Sequence, residues 1–199
     1  MAPHTNARNP REDLLERSGL PDDLRLLVAR YPRETWQEHR NLGDTARFWL
    51  ERHGMFRELG AAMADGATDF REERTKARPF IQWLAPRFNF FLGELHMHHN
   101  VEDHHYFPRF READARLARG FDILDADHVT IDRHIHELAE AGTTLDRAIR
   151  GGDDTGAAAV QLGERLDATL ALLLRHLDDE EDIIVPLILD RTEAGLQLG

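Results

Sequence analysis

His98-His99-Asn100-Val101-Glu102-Asp103-His104-His105-Tyr106-Phe107-Pro108 shares its pattern with His176-Leu177-Asp178-Asp179-Glu180-Glu181-Asp182-Ile183-Ile184-Val185-Pro186. Each stretch reads His-x3-Glu, then an acid, then a proline six positions beyond the glutamate. On an α-helix a spacing of four places two side chains on one face, one turn apart. A histidine and a glutamate so placed can grip one metal ion, or two ions that share the carboxylate. Two such helices facing each other would build a metal site in the core of a bundle.

The sequence around both copies is helical in pattern. Phe88, Phe91, Leu95, His98 and Glu102 fall on one stripe of a helix expected from about Pro79 to Phe107, with Pro86 kinking it or marking its regular start. Before it, Pro32 permits a helix start, and Trp36, Leu42, Ala46, Trp49 and Leu59 predict a helix from about Arg33 to Ala64. Asp65 through Arg78 reads as a charged loop. A third helix opens near Phe121, carries Leu124, His128, Ile131, Ile135 and Leu138 in register, and stops at Gly151-Gly152. The fourth runs from about Thr155 through Leu162, Leu166, Leu173 and His176 to the turn before Pro186. No segment alternates as a strand does. The expected fold is all-α: an antiparallel up-down-up-down four-helix bundle over residues 33–190. A short helical extension, broken at Gly19-Leu20-Pro21, precedes it over residues 1–32, and residues 191–199 form a tail.

Composition narrows the chemistry. The chain has 199 residues, most simply one domain, and a formal net charge of −12, which argues against nucleic acid or an anionic membrane as partner. Twelve histidines against two tyrosines suit imidazole ligation. With no cysteine there is no disulfide, zinc–thiolate site, cysteine-held iron–sulfur cluster or thiol nucleophile. The first thirty residues carry Glu12, Asp13, Glu16, Asp22 and Asp23 and lack a long apolar run, unlike a secretory or transit peptide, and no stretch approaches a membrane span. A cytoplasmic protein is expected.

Placing the candidate ligands on the expected helices tests their consistency. In an up-down-up-down bundle the starts of helices 1 and 3 lie level with the ends of helices 2 and 4. His39 and His128 each sit about two turns inside a start, while His98, Glu102, His176 and Glu180 sit near the ends. All six then fall within roughly 10–15 Å along the axis at ~1.5 Å per residue. His39-x2-Leu42 and His128-x2-Ile131 also match locally. Four imidazoles and two carboxylates suit two first-row transition ions bridged by the glutamates, whereas calcium or magnesium would ask for more oxygen. Zinc, manganese and nickel fit the same box as iron.

These residues, with the acid after each glutamate and the proline beyond, resemble the hemerythrin-like (HHE cation-binding) family over residues from about 33 to 187. The resemblance implies a four-helix bundle holding a non-heme di-iron centre that takes oxygen, nitric oxide or peroxide, with His39, His98, Glu102, His128, His176 and Glu180 as ligands. Oxygen-carrying members use a His-x3-His pair on the third helix. Here Asp132 stands four residues after His128. The six-ligand pattern is closer to iron-centre repair proteins, many of which carry a cysteine-bearing extension that this chain lacks.

Other residues read more blandly. His99 with Asp103 repeats the spacing of four, but alignment of the two prolines selects His98. His53, fourteen residues past His39, would lie about 21 Å along the same helix. His4, His96, His104, His134 and His136 read as solvated, and His105 as a helix-end residue or an outer partner of the site. Trp36, Trp49, Phe88, Phe90 and Phe91 read as packing, and the acidic run Asp178–Asp182 mainly as a solvated helix end. A ferritin-like site needs Glu-x-x-His on two helices, and only Glu102-x-x-His105 matches. Three functions follow: a di-iron protein that binds or consumes oxygen, nitric oxide or hydrogen peroxide in sensing or stress protection; an iron store, donor or sensor; or an interaction module held together by metal.

Overall fold

The computed structural model describes residues 9–198, and these contain helices and no strand. Five α-helices appear: α1 (Asp44–Arg71), α2 (Ala77–Val101), α3 (Phe107–Ala113), α4 (Ala118–Gly151) and α5 (Gly156–Arg191). A single π-helical turn, Glu102–Tyr106, joins α2 to α3. The long helices touch as α1 with α2, α2 with α4, α4 with α5 and α5 with α1, which closes them into a ring around one interior. No helix among the described residues is long and apolar enough to cross a membrane.

The ends of α1 differ from the sequence expectation. Trp36 and Leu42 are buried, as their spacing suggested, but they belong to a run of single turns and not to a helix. Arg33–Thr35 is a 3₁₀ turn, and His39 N–H and Leu42 N–H each reach back three residues, to the carbonyls of Trp36 and His39. The helix begins only at Asp44, after an extended Gly43, where Asp44 adds an acid to the first turn and Glu193 accepts from the Ala46 N–H at 2.9 Å. At the far end Ala67 and Phe70 are buried, so α1 runs on to Arg71 and the expected loop shrinks to residues 72–76. Proline is tolerated inside two helices: α2 passes through Pro86, and α5 passes through Pro186 to Arg191.

The core is split in two. One apolar cluster gathers Phe56, Phe91, Leu95, Ile131, Leu173 and Leu177, and the other gathers Trp49, Phe107, Phe121, Leu124, Ile183 and Ile184. In sequence the gap falls at the same level on every long helix: between 49 and 56, 95 and 107, 124 and 131, and around 176–180. A polar layer therefore crosses the bundle there.

Residues 9–43 strap over this end. Leu14, Leu20, Leu24 and Leu27 are buried against the bundle, and their cover leaves every residue of α5 from Asp179 to Leu189 buried. The acidic run is thus not a solvated end. Only Asp178 is exposed, and Asp179, Glu181 and Asp182 meet Arg17, Arg25, Arg33 and Arg57 in ion pairs. Buried carboxylates demand such partners.

Candidate metal centre

The polar layer is built from residues on α1, α2 with its π turn, α4 and α5. Two groups of ligand atoms each lie within 4.8 Å of one another: His53, His98, Glu102 and Glu180 in one, and His99, Glu102, His128 and His176 in the other. Glu102 reaches both, with Oε1 3.0 Å from His98 Nε2 and Oε2 3.5 Å from His128 Nε2. Glu180 also spans them, since its Oε2 lies 3.5 Å from both His53 Nε2 and His176 Nε2. The two carboxylates sit between a pair of histidines on one side and three on the other.

Five of the six residues expected from sequence are brought together: His98, Glu102, His128, His176 and Glu180. His39 is not. It lies in the turns before α1, half-buried, with its ring against Tyr31 at 5.5 Å and its Nδ1 accepting from the Asn41 N–H at 3.2 Å. His53 holds the place expected for His39. Because α1 starts at Asp44 and not near Arg33, the residue about two turns inside it is His53. His99 also joins the layer, with its ring stacked on His128 at 4.1 Å. Asp132 does not, since its side chain is half exposed beside His136 on the surface. His96, His104, His105 and His136 are exposed, and His4 lies outside the described residues.

The backbone at the first motif explains how adjacent histidines both serve. The Glu102 N–H is shared between the carbonyls of His98 and His99, and the Phe107 N–H reaches back five residues to Glu102. This π turn widens the helix where the candidate ligands cluster, a frequent arrangement at functional sites. Pro108, which has no N–H to give the carbonyl of residue 104, follows directly.

An outer ring of acids sets the imidazole tautomers. His53 Nδ1 donates to Glu181 Oε1 at 2.9 Å, His128 Nδ1 to Asp103 Oδ1 at 2.6 Å, and His176 Nδ1 to Asp127 Oδ2 at 3.3 Å. Glu181 and Asp103 are the acids that follow the glutamate in the two motif copies, and each serves a histidine on another helix. Burial pushes Glu181 up, but His53 and Arg57 outweigh it and bring the carboxyl down to about 2. Asp127 and Asp103 are likewise lowered against their burial, by Arg17 and His176 in one case and by His128 in the other. Ionised carboxylates can only accept, so each Nδ1 carries the proton and each Nε2 turns a bare lone pair inward.

Inside the layer the charges run the other way. Burial lowers His176 to about 3, against the pull of Asp127, and lowers His98 to about 3 with help from His128 and Arg52. His99 is pushed well down by burial and then by His128. Burial drives Glu102 and Glu180 well above the usual carboxylate range. His128 Nε2 and His176 Nε2 face each other at 3.1 Å, as do His53 Nε2 and His98 Nε2. Both oxygens of Glu102, Oε2 of Glu180 and Nε2 of His99 are buried with no hydrogen-bond partner among the described residues. Buried polar atoms without partners cost free energy. Neutral imidazole and carboxylate converging from every side is a donor set that transition ions fit. Trp49 Nε1 donates to Glu180 Oε1 at 2.9 Å and holds that carboxylate in place, a role its apolar spacing did not announce.

A cavity of about 160 Å³ opens from the surface onto His98 and Glu102, between Phe48, Trp49, Arg52, Met97, Val101 and Tyr106. It meets the side that has two histidines.

Comparison with family models gives a match over residues 44–188, to the hemerythrin HHE cation binding domain. No curated protein and no solved structure matches.

Proposed function

Because the chain belongs to the hemerythrin HHE cation-binding family, we propose that it is a non-heme di-iron protein whose centre binds or reacts with oxygen, nitric oxide or hydrogen peroxide. One observation carries this. His128 and His176 both commit their Nδ1 protons to carboxylates, yet their Nε2 atoms stand 3.1 Å apart in the buried layer. Two bare lone pairs at that distance repel unless a cation lies beside them.

In this reading His53 and His98 would hold one ion and His99, His128 and His176 the other, with Glu102 and Glu180 within reach of both. The long helices run up-down-up-down, which the short connections at residues 72–76 and 152–155 support. The bound irons would supply ligand binding and one-electron chemistry. The protein supplies the rest. The acid ring keeps the imidazoles in their ligating tautomer, Trp49 orients Glu180, and the split core excludes water on both sides. The half with two histidines has fewer protein donors, and the cavity opens on that half. At about 160 Å³ it has room for a diatomic or a peroxide.

Adding azide or nitric oxide to the iron-loaded protein tests this reading by absorption. New ligand-to-metal bands are expected, and they should weaken in Val101→Trp, which fills the cavity mouth. A spectrum indifferent to both ligands, with iron lost rapidly to a weak chelator, would favour the store or donor.

A further inference from the structure

Arg17 lies in the strap, outside the family-matched span, and is only 4 % exposed. Each of its guanidinium nitrogens has an acceptor. Nε donates to Asp179 Oδ2 at 2.9 Å, and NH1 to the Glu12 carbonyl at 3.0 Å and to Asp127 Oδ1 at 2.7 Å. NH2 donates to Asp127 Oδ2 and is ion-paired with Asp179 Oδ2 at 2.9 Å. The fork on both oxygens of Asp127 fixes the plane of that carboxylate, which a single-point cation cannot do. Asp127 is the acceptor for His176 Nδ1, and His176 turns its Nε2 to the centre. On the opposite half the strap repeats the device, where Arg33 NH1 donates to Glu181 Oε2 at 2.7 Å and Glu181 accepts from His53 Nδ1. A buried guanidinium is a costly way to fasten a strap if fastening were its only work, since apolar packing of similar volume serves as well.

We infer that Arg17 is a positioning residue of the metal centre, acting through Asp127 on His176, so that the segment before α1 is part of the metal-binding machinery. The inference rests on the metal-binding reading above.

Cobalt(II), whose visible bands report ligand geometry, is the probe. Full-length wild type, Arg17→Lys, Asp127→Asn and Arg30→Ala are loaded with cobalt, and band positions and release to a chelator are recorded beside the melting of each metal-free protein. Arg30→Ala is the control, because it removes another strap anchor, to Asp190, that touches no partner of a ligand histidine. Arg17→Lys and Asp127→Asn are expected to shift the bands alike and to release cobalt about ten-fold faster, the low end for losing a histidine's outer partner. Arg30→Ala should match wild type in both. If Arg17→Lys keeps the wild-type bands and release rate, whatever its melting temperature, Arg17 only fastens the strap and the inference is overturned. A wild-type chain that takes up no cobalt overturns the metal-binding reading, and this inference with it.

Discussion

Replacing His53 with alanine should remove metal from the protein, and replacing His39 should leave metal content unchanged. His53 is fully buried with Nε2 facing His98 and Glu180, whereas His39 sits among surface turns. Metal analysis of the two variants checks this, and equal losses would contradict the geometry. Five residues of the polar layer were legible because each belongs to a local pattern: a His-x3-Glu pair, or a histidine in step with the apolar residues of α4. The choice of His39 failed for a physical reason. Residues 33–42 bury Trp36 and Leu42 at helix-like spacing through consecutive short turns, and sequence periodicity does not separate those from an α-helix. Gly43-Asp44, an N-cap and an acidic first turn, was the signal that could have moved the helix start and selected His53. His99 could not be read from spacing, because it depends on a π turn that no periodicity announces.

At the level of elements, the helices were visible and their ends were not. Tertiary cover set the ends: Phe70 extends α1 beyond its charged stretch, and the strap lets α5 carry a buried acidic run past Pro186. The contact of α1 with α5 depends on Gly60, where an added Cβ would meet the Leu170 side chain. Gly60→Val should therefore destabilise the fold by about 1–3 kcal/mol through overpacking. Chemical denaturation should show a lower midpoint with an unchanged slope. Metal content should hold, because Gly60 lies about two turns from His53. Loss of metal together with stability would mean that the helix contact and the polar layer are one cooperative unit.

For the whole molecule, the layer of inward-facing donors makes folding and metal binding one equilibrium. A metal at a hundred times its Kd adds about 2.7 kcal/mol, roughly 5–10 °C in a chain of this size. Thermal melts before and after a strong chelator should differ by at least that much. The metal-free protein should also be acid-sensitive in a defined window. His98 and His176 titrate near 3 when folded and near 6.5 when unfolded, so the unfolded chain takes up protons that the native state refuses. Stability contributed by these two groups is complete above pH 6.5 and is lost as pH falls towards 3. Glu102 and Glu180, pushed up by burial, work in the opposite sense, so the check is made on the imidazoles themselves. His98 and His176 ring resonances that titrate near 6.5 in the folded, metal-free protein would mean they are not buried as neutral bases. The all-helical class was readable from periodicity alone. The division of the core into two apolar clusters by a polar layer was not, because it needs all four long helices aligned at once.

Anomalous diffraction from crystals of the iron-loaded protein tests the two-ion centre most directly. Two iron peaks are predicted, one beside His53 and His98 and the other beside His99, His128 and His176, with Glu102 and Glu180 between them. A single peak, or a peak beside His39, would contradict it.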